Sequence, residues 1–261
     1  MTAVKRVLAI DIGGTGLKAA IVGRDGCFLA ERVRIRTPPN CAPSRMVPLL
    51  VKLVKPLGAF DHVTIGFPGV VKRGRVISAP HLGTAQWRGF PLERAMQKRL
   101  GKPVKLLNDA DVQGLAAIHG DGLELVCTLG TGLGTAWFRD AELMPHMDLA
   151  HLSIHKKNDF DAYVGEKTRR KIGNKRWNRR VKKLIGVLET VFAYDHLHLG
   201  GGNSSRIDFA LPRNVTIVDN DAGISGGAFA WVAKNGVPMK GIRKRPRWGT
   251  RRGPARWNRN C

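Results

Sequence analysis

The chain has 261 residues, enough to bury a sizeable core in one large or two small domains. Its 43% hydrophobic content is typical of a globular protein, and no apolar run is long enough to span a bilayer. A net charge of +24 predicts a polyanionic partner: nucleic acid, an anionic membrane surface or polyphosphate. Four scattered cysteines argue against a zinc site, and the first residues begin a strand at once, so we expect a cytoplasmic chain without a signal peptide.

The first predicted element is a hairpin. Residues 5–12 form an apolar strand that ends in Asp11, and a second apolar strand follows a short turn. The turn residues are Gly13, Gly14, Thr15 and Gly16. Strand, turn and strand differ from the strand-to-helix turn of a P-loop or dinucleotide site. Glycine N–H groups can approach phosphate oxygens, Thr15 and Lys18 add a hydroxyl and a cation, and Asp11 predicts a bridging Mg²⁺.

The next segment alternates helices and strands. We predict a helix over 44–58 with Ser44 as its N-cap, and strands on either side of a Gly-Phe-Pro-Gly turn in 62–71. A short helix follows over 91–100. A strand at 105–107 then leads into a helix over 110–119.

Between that strand and that helix lie Asn108 and Asp109. A carboxylate at the end of a buried strand can accept a proton from a substrate hydroxyl, and the neighbouring amide can hold that hydroxyl. The plainer interpretation is a strand end or an N-cap. Two glycine-rich loops, one on each side in sequence, favour the functional interpretation.

Residues 123–138 repeat the first hairpin. An apolar strand leads into a turn and a second apolar strand. The turn contains Gly130, Thr131, Gly132 and Gly134. This internal repeat predicts two related halves, each offering a phosphate-binding turn to a shared cleft.

Polar and basic residues dominate the next segment. We interpret His146, Asp148, His151 and His155 as a polar patch of a substrate pocket rather than a metal site. Residues 156–183 carry many arginines and lysines around Trp177, which is typical of a solvated helix face or of a groove for a long polyanion.

The last predicted elements are an amphipathic helix over 177–193, a strand that runs into Gly200, Gly201 and Gly202, and a strand over 215–219. A glycine-containing helix over 222–234 closes the fold, and residues 236–261 form a basic tail that we expect to be disordered.

The ordered set of these motifs resembles the ROK family of sugar kinases. The matching segments are Asp11–Thr15, Gly66–Gly69, Asn108–Asp109, Leu129–Gly134 and Leu199–Asn203. The resemblance covers residues 7–232 and, within the family, is greatest to bacterial polyphosphate glucokinases. It implies an α/β chain with the actin-like ATPase (RNase H-like) fold, in which two lobes face a central cleft. We expect lobes at 1–112 and 113–235, followed by the tail.

The resemblance also implies roles for individual residues. Asp109 would be the general base on the 6-hydroxyl of glucose or mannose. Sugar contacts would come from Asn108, Gly69, Asp148 and His151. Donor phosphates would be bound by Asp11, Gly13, Gly14, Thr15, Lys18, Thr131, Gly132, Gly134, Gly201 and Gly202. Asp148 and Ala150 stand where the family has Glu and Gly, which puts sugar preference in question.

The implied partners are a hexose, inorganic polyphosphate or ATP, and Mg²⁺ held by Asp11 through water, with no zinc because the family's cysteine cluster is missing. The resemblance implies a homodimer, and no membrane contact is expected. Two alternatives stay open: a kinase that uses ATP alone, and a nucleic-acid-binding protein on the same scaffold, supported by the basic tail.

Overall fold

The structure is a computed structural model that describes residues 6–155, 158–219, 222–234 and 237–238. Its strands, in chain order, are β1 (Arg6–Ile12), β2 (Gly16–Gly23), β3 (Val33–Arg36), β4 (His62–Phe67), β5 (Val71–Lys72), β6 (Arg75–Val76), β7 (Val104–Asn108), β8 (Leu123–Leu129), β9 (Leu133–Arg139), β10 (Glu142–Leu143), β11 (Ser153–His155), β12 (Asn158–Asp159), β13 (His196–Gly200), β14 (Val215–Ile217), β15 (Ala233–Lys234) and β16 (Val237–Pro238). Apart from 237 and 238, the predicted tail lies outside the described residues.

The α-helices connect these strands and cover the sheets. They are α1 (Pro43–Val54), α2 (Thr84–Trp87), α3 (Leu92–Leu100), α4 (Asp109–Ala117), α5 (Phe160–Val164), α6 (Glu166–Ile172), α7 (Asn174–Phe192) and α8 (Ala222–Val232). Within the described ranges, no helix is long and apolar enough to span a bilayer.

Two five-stranded sheets share one topology. The first has the order β3-β2-β1-β4-β7 and the second the order β10-β9-β8-β13-β14. In each, an antiparallel hairpin is joined on one side by a further antiparallel strand and on the other by two parallel strands. The predicted repeat of the two hairpins is therefore a repeat of the whole sheet.

Helices α4 and α8 pack against each other between the two sheets. On one side α8 packs against β1, β2 and β4, where Ile224 and Ala228 join a buried apolar cluster. On the other side α4 packs against β8 and β9, with Leu115 buried beside Phe138. The predicted lobe boundary at residues 112 and 113 falls inside α4, while α8 returns to the first sheet.

Two local predictions are wrong. Helix α1 begins at Pro43 with Ala42 as its N-cap, so Ser44 is not the cap; proline is favoured at the first position because its fixed φ suits a helix start. Trp177 is fully buried, and its Nε1–H donates to the carbonyl of Val164 at 2.6 Å. It therefore belongs to the core and cannot stack on a bound polyanion.

The α4–α8 contact depends on a missing side chain. A Cβ atom on Gly226 would overlap the carbonyl oxygen of Val112 in α4, and a backbone atom cannot move aside as a flexible side chain can. We therefore expect Gly226→Ala to lower the free energy of unfolding by about 1–3 kcal/mol, the usual cost of overpacking.

The matched control is Gly223→Ala in the same helix, where a Cβ atom meets open space. This variant should leave the free energy of unfolding unchanged or raise it by up to about 1 kcal/mol, because alanine favours helix. Urea denaturation measures both. Equal stability of the two variants would contradict the packing described here.

Candidate active site

The carboxyl ends of three strands of the first sheet meet at one edge. In the parallel register Asp11 of β1 pairs with Gly66 of β4, and Gly66 pairs with Leu107 of β7. Asn108 and Asp109 follow directly, so the predicted acid lies at the same edge as the end of β1. A Cβ atom on Gly66 would be 3.5 Å from the Cα atom of Asp109.

Asp109 is the first residue of α4 and keeps partial solvent exposure. Its Oδ1 accepts a hydrogen bond from the backbone N–H of Ala110 at 2.9 Å. Burial of the carboxyl, followed by the negative charge of Asp11, raises the pKa of Asp109 to about 7. A carboxylate with this pKa can accept a proton at neutral pH.

Asn108 fixes the start of α4. Its Oδ1 accepts the N–H of Ala110 at 2.8 Å, so the plainer N-cap interpretation is confirmed. Its Nδ2 donates to the carbonyl of Gly69 at 3.0 Å. The buried amide thus joins the helix that begins at Asp109 to the turn that follows β4, where the sequence predicts a sugar contact.

The first glycine turn lies between β1 and β2, next to Asp11. The N–H of Gly13 donates to the carbonyl of Gly16 at 3.0 Å, and the hydroxyl of Thr37 donates to the carbonyl of Gly13 at 2.6 Å. Thr15 is exposed at the tip, and Gly14 is half-buried. Lys18 pairs with Asp11, Nζ to Oδ2, at 3.0 Å, so its charge is partly compensated.

The second glycine turn, between β8 and β9, lies beside the start of α4. A Cβ atom on Gly134 would be 3.3 Å from the Cβ of Ala110, the residue after Asp109. The carboxylate of Asp161 accepts the N–H of Leu133 at 2.7 Å and occupies the space that a Cβ on Gly132 would need. Thr131 is exposed. Both turns therefore lie near Asp109.

The glycine loop at the end of β13, formed by Gly200, Gly201 and Gly202, packs against the strand that leads into the second glycine turn. Gly201 adopts a φ of +82° against the backbone of Leu129, and Gly202 is exposed. Asn203 donates through its backbone N–H to the carbonyl of Leu129 at 2.9 Å and through Nδ2 to the carbonyl of Gly130 at 3.2 Å. These bonds hold the loop and the turn together.

Asp148 and His151 lie close to each other. The Oδ1 of Asp148 accepts the N–H of Ala150 at 3.1 Å, while its Oδ2 lies 3.9 Å from Nε2 of His151. The His151 ring also lies 3.6 Å from a carboxylate oxygen of Asp159 and is largely exposed. Asp148 therefore uses one oxygen as a local cap, and His151 is available to a ligand in solution.

Sequence reasoning did not single out the pair formed by Asp111 and His146. Nδ1 of His146 lies 3.5 Å from Oδ1 of Asp111, and both side chains are nearly buried. Burial lowers the pKa of His146, but the hydrogen bond to Asp111 and the charges of Asp111, Asp148 and Asp109 raise it above its ordinary value. The imidazole of His146 therefore lies close enough to both Asp109 and Asp148 for their charges to favour its protonated form.

Two further observations concern acids near the site. Burial raises the pKa of Asp111. Glu166 forms ion pairs with Arg169 at 2.7 Å and with Arg170 at 2.6 Å. These hydrogen bonds, led by that of Arg169, lower the pKa of Glu166 to about 2.

Comparisons with known proteins agree with this arrangement. A sequence profile of the ROK family matches residues 7–146. The polyphosphate glucokinase of Mycobacterium tuberculosis (strain CDC 1551 / Oshkosh) is 30% identical over 240 residues, which cover 86% of this chain and 90% of that protein. The polyphosphate glucokinase of Mycobacterium leprae (strain TN) is 30% identical over 244 residues, covering 87% and 75% of the two chains.

Solved structures give the same result. The inorganic polyphosphate/ATP-glucomannokinase of Arthrobacter sp. strain KM is 32% identical, with a TM-score of 0.77 over 86% of this chain and 97% of that chain. A ROK family glucokinase from Streptomyces griseus in complex with glucose and AMPPNP has a TM-score of 0.72 at 18% identity, over 85% and 98% of the chains, and shows the fold alone.

The fold and the site define a two-lobed phosphotransferase of the kinase class, with the predicted actin-like ATPase fold. The chain belongs to the ROK family.

The electrostatic coupling of Asp11 and Asp109 leads to a direct prediction. Asp11→Asn should lower the pKa of the Asp109 carboxyl from about 7, but not to its ordinary value of 3.8, because burial is the larger cause. In the Asp11→Asn variant Asp109 would ionise at lower pH. Carboxyl-carbon NMR titration of the substrate-free protein measures this shift.

The control for this titration is Asp208→Asn, which removes an exposed acid in the other lobe and should leave the pKa of Asp109 unchanged. The electrostatic description would be wrong if Asp109 titrated near 4 in the unmodified protein, or if Asp11→Asn moved it no more than the control does.

Proposed function

We propose that the protein transfers a phosphoryl group from inorganic polyphosphate, with ATP as a second donor, to the 6-hydroxyl of glucose. The observation that carries this proposal is the position of Asp109, a carboxyl with a pKa of about 7 between two glycine turns. The names of the mycobacterial and Arthrobacter relatives support glucose as the acceptor and mannose as a second one.

In this proposal Asp109 acts as the general base. Its ionised carboxylate accepts the proton of the sugar hydroxyl, and the oxygen attacks the terminal phosphorus of the donor as the bond to the leaving phosphate breaks. The products are a sugar 6-phosphate and a donor shortened by one phosphoryl group. Most of the rate acceleration would come from positioning and charge stabilisation.

The two glycine turns would bind the donor phosphates. Gly13, Gly14 and Thr15 at one side of Asp109, and Thr131, Gly132 and Gly134 at the other, offer backbone N–H and hydroxyl groups. Gly201 and Gly202 lie next to the second turn and would contact the nucleotide of ATP. Because Lys18 is paired with Asp11, its role would be to hold that carboxylate as much as to contact phosphate.

The residues present fit a divalent cation. Asp11 and Asp109 repel each other, as the raised pKa of Asp109 reflects, and carboxylate oxygens are the ligands that Mg²⁺ prefers. Asp11 would hold Mg²⁺ through water, and the bound ion would offset negative charge on the transferring phosphoryl group.

The sugar would lie on the side of Asp109 that faces Gly69, Asp148 and His151. Asn108 already uses its polar atoms on Ala110 and Gly69, so it would act on the sugar by holding the base and this turn in place. Since Asp148 is one methylene shorter than the glutamate of the family pattern and caps Ala150, we expect sugar preference to differ from that of relatives with glutamate.

The donor preference rests on a basic groove of about 440 Å³ next to α5. It is lined by Tyr163, Ile172, Arg176, Arg179, Arg180 and Lys183. Arg180 is fixed over the Tyr163 ring at 4.5 Å, whereas Arg176, Arg179 and Lys183 are exposed on one face of α7. Helix α5 also carries Asp161, which supports the second glycine turn, so one helix contributes both to the groove and to the proposed donor site.

The groove uses only part of the basic segment at residues 156–183, because Arg169 and Arg170 share ion pairs with the single carboxylate of Glu166. ATP needs only a local basic site. A polyphosphate chain carries about one negative charge per unit and would gain from cations that continue past the turn.

The role of Asp109 is tested by Asp109→Asn. We expect turnover to fall by about 10²–10⁴, the range for loss of a general base, with either donor. Near-normal turnover of this variant in a coupled glucose 6-phosphate assay would remove Asp109 from the role.

The pH dependence of the stability of Asp109→Asn distinguishes misfolding of the variant from loss of the general base. The folded pKa of Asp109, about 7, is above its ordinary value of 3.8, so ionised Asp109 destabilises the folded state increasingly as pH rises from about 4 to 7. The amide that replaces this carboxyl in Asp109→Asn carries no charge at any of these pH values. The variant should therefore be at least as stable as the unmodified protein at pH 8, with the difference shrinking towards pH 4.

The groove is tested by the double variant Arg176→Gln/Arg179→Gln. Polyphosphate should bind about tenfold more weakly, with a salt dependence whose slope falls by about 1 for each lost contact, while the KM for ATP changes by less than about twofold. The matched control is Lys98→Gln/Arg99→Gln, which removes two exposed cations from α3 in the other lobe. Equal effects of the two double variants on polyphosphate would contradict the proposed groove.

The nucleic-acid-binding alternative is supported by the net charge of +24 and by the basic sequence of residues 236–261. RNA added to the same assay distinguishes the two. If RNA competes with polyphosphate and no phosphoryl transfer occurs with either donor, the alternative is favoured. The cytoplasmic location and the homodimer that the resemblance implies remain predictions.

A further inference from the structure

A cluster of histidines surrounds a buried glutamate at the end of the second sheet opposite the glycine turn. Glu124 lies in the second position of β8, and His196 and His198 lie in β13 beside it. His119 follows the end of α4. The nine residues of α4 separate the cluster from Asp109 by about 14 Å, so it is distinct from the candidate active site.

The carboxylate of Glu124 is fully buried and surrounded by N–H groups. It accepts the backbone N–H of His119 at 2.6 Å, that of Gly120 over a short contact and that of Asp121 at 3.2 Å. Buried carboxylates are found paired with a cation or bound to a metal, because an isolated one loses its hydration. The loop after α4 thus holds one carboxylate in a fixed orientation.

His198 is oriented in the way that a metal-ligating histidine is. Its Nε2 lies 2.7 Å from Oε2 of Glu124, and its Nδ1 lies 3.0 Å from the hydroxyl of Thr216. A threonine hydroxyl can accept as well as donate. The 2.7 Å contact is a hydrogen bond in which Nε2–H donates to the carboxylate. A bound ion would replace this proton at Nε2, and the imidazole would then carry its proton on Nδ1, where Thr216 can accept it.

His119 is the third candidate ligand, and the ring of His196 lies beside it. His119, Glu124 and His198 each offer one ligand atom, a ring nitrogen or a carboxylate oxygen. These three atoms lie within 4.8 Å of one another. The His119 ring contacts both β13 histidines edge-on, with ring centroids 4.7 Å from His196 and 5.0 Å from His198. His119 is exposed, so an ion can reach the cluster from solvent at this side.

We propose that His119, Glu124 and His198, with His196 as a fourth ligand, bind Zn²⁺. Three imidazoles and one carboxylate suit zinc, which takes nitrogen and oxygen ligands at about 2.0–2.2 Å in tetrahedral geometry. Such a site needs ligand atoms about 3.3 Å apart, so His119 would move inwards and the 2.7 Å contact between His198 and Glu124 would lengthen. The site contains no cysteine, so the expectation of a chain without zinc, which rested on cysteines, does not apply to it.

The bound ion would join the end of α4 to the second sheet. His119 belongs to the loop after α4, Glu124 to β8 and His198 to β13, so one ion would cross-link three elements. Since α4 carries Asp109 at its other end, we expect a structural site that stabilises the helix.

The test uses the full chain, stripped with a chelator and then titrated with Zn²⁺ in buffer that contains excess Mg²⁺ and no phosphate. We expect one equivalent of Zn²⁺, a higher Tm, and a tetrahedral Co²⁺ spectrum without a sulfur-to-cobalt band. His119→Ala should weaken Zn²⁺ binding at least about tenfold, and His196→Ala should also weaken it. His81→Ala, which removes an exposed histidine of the other lobe, should leave affinity unchanged.

Two results would overturn the proposal. One is the absence of a stoichiometric Zn²⁺ site in the folded protein, which would make Glu124 and His198 a hydrogen-bonded lock without metal. The other is equal Zn²⁺ affinity and an equal Co²⁺ spectrum in His119→Ala, His196→Ala and the unmodified chain, which would place the ion elsewhere.

Discussion

The repulsion between two carboxylates at one edge of a sheet is the constraint on which the site depends. Parallel pairing of β1, β4 and β7 brings Asp11 and Asp109 to the same edge, and burial leaves Asp109 with a pKa of about 7. The fold holds this unfavourable pair in place by capping α4 with Asn108 and pairing Asp11 with Lys18. Unfavourable burial and repulsion of charges are typical of functional sites, where residues are arranged for chemistry rather than for stability.

Helix α4 packs against strands of both sheets, β4 and β7 in the first and β8 and β9 in the second. Its first turn carries Asp109 beside the turn that ends at Gly134, its middle packs on α8 through Gly226, and the loop after it supplies His119 and wraps around Glu124. Asp109 at one end and the proposed metal cluster at the other would both be sensitive to the position of α4 between the sheets. The repeated sheet topology explains why each lobe offers one glycine turn to the cleft.

The elements that the sequence predicts well are those encoded locally. Both glycine hairpins, the strand before Asn108 and helix α3 with Gly101 as its C-cap follow from short patterns of apolar residues, glycine and proline. The start of α1 was misplaced by two positions, because serine as a cap and proline at the first helical position were both plausible signals next to each other.

The features that sequence reasoning missed depend on contacts between distant residues. Glu124 and His198 are 74 positions apart, and Asp111 and His146 are 35 apart, so no short motif marks either pair. The amphipathic pattern of α7 could have placed Trp177 in the core, since it shares a face with Val181, Leu184 and Leu188. Its basic neighbours instead suggested an exposed position. The polar patch predicted from the sequence includes His146, but no local pattern indicates Asp111 as its partner.

The central claim is that the Asp109 carboxylate reaches the reacting hydroxyl of a sugar bound between the two glycine turns. A crystal structure of the protein with glucose tests this most directly, through the distance from the Asp109 carboxylate to the sugar O6. We expect about 2.6–3.2 Å, the range for a general base and its proton donor. A sugar bound with O6 directed away from Asp109, at more than about 5 Å and without a bridging water, would contradict the account.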